Sequence, residues 1–261
     1  TTAGWMMWNW LVGGLAVQAS LFLYDGAPTY PKIDVLFDYC EKKNFKLFGV
    51  SAKYIDHLKN EKFKSNKFDL KSLEIIASTG SPLSEESFQY VYDHIKKDVH
   101  LASIAGGTDL VGCLVMGNLF SNVYKGEIQG QSLGIDVDVF NQEGSSTMAR
   151  EKGELVVKKP KPTMTVKFWG DDGTKYHNAY FTKFKNIWHH GDYIEKTKNN
   201  GFTIYGRSDA TLNPGGVRIG TSEIYQQVEN IDFITEGLVV GQDYRDDVRI
   251  ILFVTTKNNE E

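Results

Sequence analysis

Two arginines, Arg207 and Arg218, stand on either side of an Asn-Pro-Gly-Gly sequence at residues 213–216. Proline fixes its φ angle and glycine accepts positive φ, so this tetrapeptide predicts a tight reversal between two strands. Planar guanidinium groups bind phosphate and carboxylate oxygens through paired hydrogen bonds. The segment predicts an anion site, although two arginines taken alone fit a solvated surface hairpin better.

A carboxylate precedes this hairpin. Asp192 follows Gly191 at the end of a Trp-His-His-Gly-Asp sequence. A carboxylate on a tight glycine turn can accept hydrogen bonds from both hydroxyls of a ribose, and Arg207 could meet the same ribose or an α-phosphate. The alternative is a capped turn beside a surface arginine, but the joint spacing of Asp192, Arg207 and Arg218 favours a nucleotide site. His189 and His190 lack a third ligand at a metal-like spacing, so we do not expect metal or general-base chemistry from them.

Two loops rich in small residues follow predicted strands nearer the start of the chain. Residues 78–82 read Ser-Thr-Gly-Ser-Pro, where Gly80 would let backbone groups approach a flat ring. Residues 106–109 read Gly-Gly-Thr-Asp, which places a hydroxyl beside a carboxylate, as needed to hold a phosphate oxygen and Mg²⁺. Ligands of α/β sheets bind beyond the carboxyl ends of strands, where both loops are expected. Each loop taken alone is equally compatible with an ordinary turn.

Alternating helices and strands must position these loops. The pattern predicts helices over 11–19, 33–43 and 84–95, the first of them buried, and buried or half-buried strands over 20–24, 47–50, 73–78 and 100–104. Such alternation is typical of an α/β sheet. Residues 1–121 are therefore predicted to belong to a large N-terminal α/β domain.

The pattern changes near residue 122. Short strands separated by glycine turns are predicted over 126–130, 135–140 and 153–157, which indicates a β-rich subdomain over 122–208. Beyond it we predict a helix that begins at Thr221 with Glu223 in a capping pattern, and strands over 237–241 and 248–255. We assign 209–261 to the beginning of a C-terminal domain.

Composition excludes several classes of protein. The 261 residues carry a formal net charge of −4, which argues against a nucleic-acid partner. Cys40 and Cys113 form neither a metal-like spacing nor a disulfide framework, which suits a reducing, cytoplasmic location. The apolar run over residues 11–24 is shorter than the roughly 20 residues that a membrane helix needs. The chain begins without methionine, and we expect it to be an internal piece of a longer protein.

In their order, the segments 78–82, 106–109, 153–157, 191–192 and 206–224 resemble the motif series of the adenylate-forming superfamily, which includes the acyl-CoA synthetases. The resemblance covers almost the whole chain. It implies α/β sheet layers, a small β-rich subdomain and the start of a mobile α+β C-terminal domain. It also implies ATP, Mg²⁺ and CoA as cofactor and co-substrates, and a small acid as substrate, without defining an oligomeric state.

The resemblance further implies roles for individual residues. Thr108, Asp109 and Arg218 would be catalytic, and Asp109, where these synthetases usually have glutamate, would hold Mg²⁺, reaching it through water. Asp209 would be the hinge of the C-terminal domain. The residues implied to bind ATP or AMP are Gly80, Ser81, Pro82, Ser103, Ile104, Ala105, Gly106, Gly107, Thr108, Asp192, Arg207 and Arg218.

Within the superfamily, residues 2–12, 23–28, 78–83 and 100–109 resemble the acetoacetate-activating synthetases more than the acetate-activating ones. The latter have tryptophan where this chain has Gly106, so glycine here would leave room for a longer acid. The implied acyl pocket consists of Met6, Met7, Thr79 and Gly106, with Trp5, Trp8 and Trp10 as packing residues.

Two alternatives remain open: activation of another short acid, such as propionate, butyrate or a 3-hydroxy acid, and a non-catalytic nucleotide- or acyl-binding module. The lysine-containing phosphate loop of the superfamily and its C-terminal lysine motif have no match in these 261 residues. We therefore expect this chain to be inactive by itself.

Overall fold

The computed structural model describes residues 6–212, 214, 219–244 and 247–257. Its first part alternates helices with three parallel strands, which pair in the order of the sequence. The elements are α1 (Met6–Gly14), α2 (Val35–Lys42), β1 (Leu47–Ser51), α3 (Ala52–Asn60), β2 (Ile75–Thr79), α4 (Glu85–Tyr90) and β3 (His100–Ser103). The predicted α/β sheet is confirmed.

Antiparallel sheets follow. The strands β4 (Ala105–Gly107), β5 (Gly112–Met116) and β6 (Gly130–Gln131) form one sheet, and β7 (Val137–Phe140), β8 (Lys152–Val157), β9 (Trp188–Lys196) and β10 (Phe202–Arg207) form another. Helix α5 (Thr174–Tyr180) lies between β8 and β9 in sequence. The strand order of the second sheet is β10-β9-β8-β7, so β8 and β9 are its inner strands.

The last described part contains α6 (Thr221–Glu229) and a hairpin of β11 (Ile234–Tyr244) and β12 (Asp247–Thr256). The predicted strand pair is confirmed. The predicted start of the helix at Thr221 is also confirmed, and the residue before it, Gly220, is the N-cap. The Glu223 carboxylate accepts a hydrogen bond from the Gly220 N–H at 2.8 Å, which satisfies this backbone donor without a side chain at the cap.

Two apolar cores support these sheets. Helices α2, α3 and α4 bury Phe37, Leu58 and Phe88 against the parallel sheet. A second core around Leu155 and Trp188 joins β8 and β9 to their neighbours. Because the second core is buried on one face of the antiparallel sheet, it fixes the positions of the residues that β8 and β9 present on the other face.

Helix α4 begins as the sequence indicates. The Ser84 hydroxyl accepts a hydrogen bond from the Ser87 N–H at 3.3 Å, so Ser84 is the N-cap of the predicted helix over 84–95. The helix continues beyond Tyr90 as a π-helical turn over Val91–Ile95. A serine cap also opens α3, where Ser51 accepts from the Tyr54 N–H at 3.1 Å.

Three predicted elements differ from the structure. The first helix spans 6–14 instead of 11–19, and Val12, Leu15 and Val17 are exposed, so it is not buried within the described residues. Residues 20–24 form no strand, because the ring of Phe22 packs on the side of α2 instead, 4.9 Å from the ring of Tyr39. The predicted strand over 126–130 reduces to one bridge between Ile128 and Phe202, followed by β6.

The predicted domain boundary after residue 121 does not separate the sheets. Strand β6 lies beyond this boundary but pairs with β5, which lies before it. The division into three domains stays a prediction. Within the described residues, none of the helices has the length and apolar character needed to cross a membrane.

Candidate functional site

Parallel pairing brings the first two predicted loops together. Ser78 on β2 is the partner of Ser103 on β3, and the Ile104 N–H donates to the Ser78 carbonyl at 2.9 Å. The loops that follow both strands therefore leave the sheet at the same edge, as predicted. Gly80 has φ of +92°, a left-handed conformation that favours glycine. Thr79 and Pro82 are half-buried there, while Gly80 and Ser81 are exposed.

Gly106 lies on β4 where this strand pairs closely with β5. A Cβ atom on Gly106 would lie 2.1 Å from the Gly112 carbonyl oxygen, inside van der Waals contact. Glycine at this position therefore allows the close pairing of β4 and β5. The contribution of Gly106 to an acyl pocket stays a prediction.

Two of the predicted acyl-pocket residues lie beside the second loop. Met6 is buried against Ile104 and Cys113, and Met7 packs on the same cluster. Burial raises the pKa of the Cys113 thiol to about 11, so this thiol is neutral near pH 7. Cys113 is therefore a packing residue of the cluster. Trp5 lies outside the described residues.

Thr108 and Asp109 form the exposed tip of the second loop. They lie in a single 3₁₀ turn after β4, and the Thr165 hydroxyl donates to the Asp109 carbonyl at 2.5 Å. Among the residues that the structure describes, no three His, Cys, Asp or Glu side chains are grouped as ligands of one metal ion. An ion at Asp109 would need ligands from a substrate or from water.

His190 connects this loop to the third predicted motif, a role that was not predicted from the sequence. The His190 ring lies against Gly107, where a Cβ atom would be 2.7 Å from the ring Cε1 atom. Its Nε2 atom is 3.7 Å from Asp192 Oδ2. Burial lowers the pKa of His190, so the ring is neutral near pH 7 and acts as a packing link. The signal for this contact in the sequence is Gly107, which has no side chain and so leaves space for the ring.

Asp192 and Arg207 are brought together, as their spacing predicted. Arg207 Nη1 donates to Asp192 Oδ1 at 3.2 Å and to the His190 carbonyl at 3.0 Å. Gly191 has φ of +84°, and a Cβ atom there would be 2.6 Å from Arg207 Nη2, so only glycine lets the guanidinium lie across this turn. The Arg207 side chain keeps 54% of its surface exposed and can still meet an anion.

The chain reverses direction after Arg207. Leu212 and Ile219 exchange two backbone hydrogen bonds of 2.8 Å, which closes the predicted hairpin. Asp209 lies in the 3₁₀ turn Ser208–Ala210, with Oδ1 3.6 Å from Arg207 Nε. Its role as a hinge stays a prediction. Arg218 lies outside the described residues.

Glu154 on β8 is a second buried group. The sequence indicated it only as part of the motif at residues 153–157. Its side chain accepts from Lys183 Nζ at 2.5 Å, pairs with His189 Nε2 at 2.9 Å and accepts from the Ser208 hydroxyl. Burial alone would raise the pKa of Glu154, but these hydrogen bonds hold it well below its usual range, so the carboxylate is charged.

Known proteins are similar to this chain in sequence and in fold. A family model described as AMP-binding enzyme matches residues 2–166, which is more than half of the chain, and the chain belongs to this family. The expected membership of the adenylate-forming enzymes is confirmed.

Among these enzymes the chain is similar to acetoacetyl-CoA synthetases. It is 57% identical to the acetoacetyl-coenzyme A synthetase of Rhizobium meliloti over 97% of this chain and 39% of that protein. It is 46% identical to the Xenopus tropicalis acetoacetyl-CoA synthetase over 97% of this chain and 38% of that protein. The structure of the Streptomyces lividans enzyme matches with a TM-score of 0.90 and 37% identity, over 100% of this chain and 40% of that one.

The fold is also shared more widely. An anthranilate CoA ligase, AuaEII, matches with a TM-score of 0.76 over 94% of this chain and 45% of that one, at 18% identity. The chain spans about two fifths of the length of the acetoacetyl-CoA synthetases that it matches.

Proposed function

We propose that the protein containing this chain joins ATP and acetoacetate to form acetoacetyl-AMP and pyrophosphate. The acyl group then passes to the CoA thiol, which yields acetoacetyl-CoA and AMP. The observation that carries this proposal is a continuous set of contacts from the Ser78–Ile104 hydrogen bond to the Gly107–His190 contact and the Asp192–Arg207 ion pair. Similarity to the acetoacetyl-CoA synthetases supports acetoacetate as the acid.

The chemistry demands little proton transfer from the protein. The acid is already a carboxylate nucleophile near pH 7, so the protein must align it with the α-phosphate and neutralise negative charge. Asp192 is suited to accept the ribose hydroxyls, and the exposed face of Arg207 is suited to the ribose or the α-phosphate. Arg218 would act on the phosphates in the same way. The loops at Gly80 and Gly106 would lie against the adenine and the acyl chain.

Mg²⁺ fits this donor set as an ion bound mainly through phosphates. Thr108 and Asp109 offer one hydroxyl and one carboxylate on an exposed turn, and Mg²⁺ is commonly held by one or two carboxylates together with water and substrate phosphates. When bound, the ion would supply positive charge against the phosphate oxygens. Asp109, the shorter counterpart of glutamate, would reach it directly or through water.

Acid specificity is part of the proposal. Met6 and Met7 lie on the cluster with Ile104, and we propose that they and Thr79 line the acyl pocket. The substrates are then all small molecules, ATP, CoA and acetoacetate, which are available in the cytoplasm.

The experiment measures acid-dependent ATP–pyrophosphate exchange and thioester formation by the natural protein that contains this chain. We expect acetoacetate to give the highest kcat/KM among acetoacetate, propionate, butyrate and 3-hydroxybutyrate. A higher kcat/KM for another acid would identify that acid, and not acetoacetate, as the substrate. The absence of exchange with every acid, together with retained binding of AMP, would indicate a non-catalytic binding module.

A variant tests the site itself. Arg207→Met removes the guanidinium from Asp192, and we expect the KM for ATP to rise about tenfold or more, since charged hydrogen bonds contribute roughly 1.5–3 kcal/mol. Arg150→Met is the matched control, because Arg150 is also an exposed arginine facing a carboxylate of β9, 3.8 Å from Glu195. An equal rise in both variants would contradict the placement of the nucleotide at Arg207.

A further inference from the structure

The end of strand β10 is held by two carboxylates from two neighbouring strands. Asp192 on β9 binds Arg207, and Glu154 on β8 binds Ser208, the next residue. The pairing of β10 with β9 has a register shift between Ile204 and Gly206, then resumes and ends with Arg207 opposite Asp192, so Ser208 lies beyond the ladder. Beyond Arg207 the backbone ladder no longer holds the chain, and side-chain hydrogen bonds contribute to how it leaves the sheet.

Glu154 is itself rigidly held. Its side chain is 2% exposed, and both oxygens are used: Oε1 accepts from Lys183, while Oε2 contacts His189 and Ser208. A buried carboxylate with both oxygens occupied has little freedom to follow a moving partner. It therefore acts as a fixed point against which the 207–210 segment is placed.

We propose that Glu154 is a positioning residue, whose hydrogen bond to Ser208 sets the direction of the Arg207 guanidinium against Asp192. Glu154 need not touch the nucleotide to have this effect, because Ser208 is one residue from Arg207. The effect of this hydrogen bond on ATP binding rests on the proposed function. Its effect on the position of the 207–210 segment does not.

The same sheet provides a matched control. Asp138 on β7 is also buried, at 3% exposure, and it also binds lysine and serine side chains. Its partners are Lys158, Lys196 and Ser146. Replacing Asp138 with asparagine removes a comparable buried charge without removing a partner of the 207–210 segment.

The first measurement is amide hydrogen exchange over residues 207–210 in the natural protein, without substrate. We expect Ser208→Ala and Glu154→Gln to exchange at least about tenfold faster in this segment, because one hydrogen bond to a charged group is lost. Ser208→Thr retains the hydroxyl and should restore slow exchange, and Asp138→Asn should leave the segment unchanged. Ser208 is half-buried at the start of a turn, so its alanine variant is expected to fold.

The second measurement is the KM for ATP in pyrophosphate exchange. We expect Ser208→Ala and Glu154→Gln to raise it about tenfold, with no further rise in the double variant, because the first removes and the second weakens the same hydrogen bond to a charged group. A lower melting temperature with unchanged exchange at 207–210 would overturn the proposal, as would an equal effect of Asp138→Asn. Faster exchange in a protein that lacks ATP chemistry would retain the positioning role and reject only the proposed function.

Discussion

At the scale of single residues, the glycines of the second loop have packing roles that their motif does not indicate. Gly106 permits the close approach of β4 and β5, and Gly107 makes room for the His190 ring. In both cases glycine is required by residues later in the chain, on β5 and at His190. A family motif can therefore be recognised correctly while the reason for one of its residues is different.

Gly106→Ala should destabilise the fold. The new Cβ atom would contact the Gly112 carbonyl oxygen at 2.1 Å, and the backbone of β5 must move to relieve it. We expect a loss of at least about 2 kcal/mol in the free energy of unfolding, in the upper part of the range for overpacked sites. Urea denaturation measures this change.

Gly13→Ala is the control for that variant. Gly13 lies in α1, and no atom would lie within 4 Å of its Cβ atom. Alanine should be neutral or stabilising there, by up to about 1 kcal/mol, because glycine is unfavourable within a helix. Unchanged stability in Gly106→Ala would mean that β4 and β5 are farther apart than described.

At the scale of elements, the sequence predicts best where a local interaction defines an end. Ser84 caps α4 through an N–H only three residues away, so its type and position suffice for the prediction. Residues 20–24 have the composition of a strand, but a strand also needs a partner. Phe22 packs on Tyr39 of α2 instead, which no local pattern could indicate.

Ser84→Ala should weaken this helix. The variant loses the cap of the Ser87 N–H and the bond to the Ser87 hydroxyl. We expect the free energy of unfolding to fall by about 1–2 kcal/mol. Tryptophan fluorescence during urea unfolding gives this value, and Ser145→Ala in an exposed turn should change it by less than about 0.5 kcal/mol. Equal effects would argue against the cap.

At the scale of the whole molecule, the last helix carries a carboxylate that responds to the charges of the first part of the chain. Glu229 on α6 is exposed, but partial desolvation, followed by the negative charge of Asp56 on α3, raises its pKa to about 7, and Glu86 on α4 acts in the same direction. Lys59 opposes this shift. The folded state therefore binds the Glu229 proton more tightly than the unfolded state does.

This pKa shift determines the sign of a pH dependence. The favourable contribution of protonated Glu229 is complete below the ordinary pKa of 4.5 and is lost as the pH rises through about 7. Glu229→Gln keeps the neutral form at every pH, so its melting temperature should exceed that of the unmodified protein by ~1–2 °C at about pH 8. At about pH 5, close to the ordinary pKa of 4.5, the difference should be much smaller.

Scanning calorimetry at the two pH values checks this expectation. Glu143→Gln, at an exposed loop position, serves as the control and should show the same melting difference at both pH values. A Glu229→Gln variant that melts lower at the higher pH would mean that the Glu229 carboxylate is stabilising when charged.

The sequence by itself determined the α/β and β-rich parts, the capped α4 helix, the glycine turns and the order of motifs that indicates the family. These features depend on local periodicity and on residues a few positions apart. Only the tertiary structure decided that His190 joins Gly107 to Asp192, and that Glu154 holds Ser208. Those contacts depend on how β8, β9 and β10 are aligned. The packing of residues such as Leu155 and Trp188 fixes that register, which no local pattern encodes.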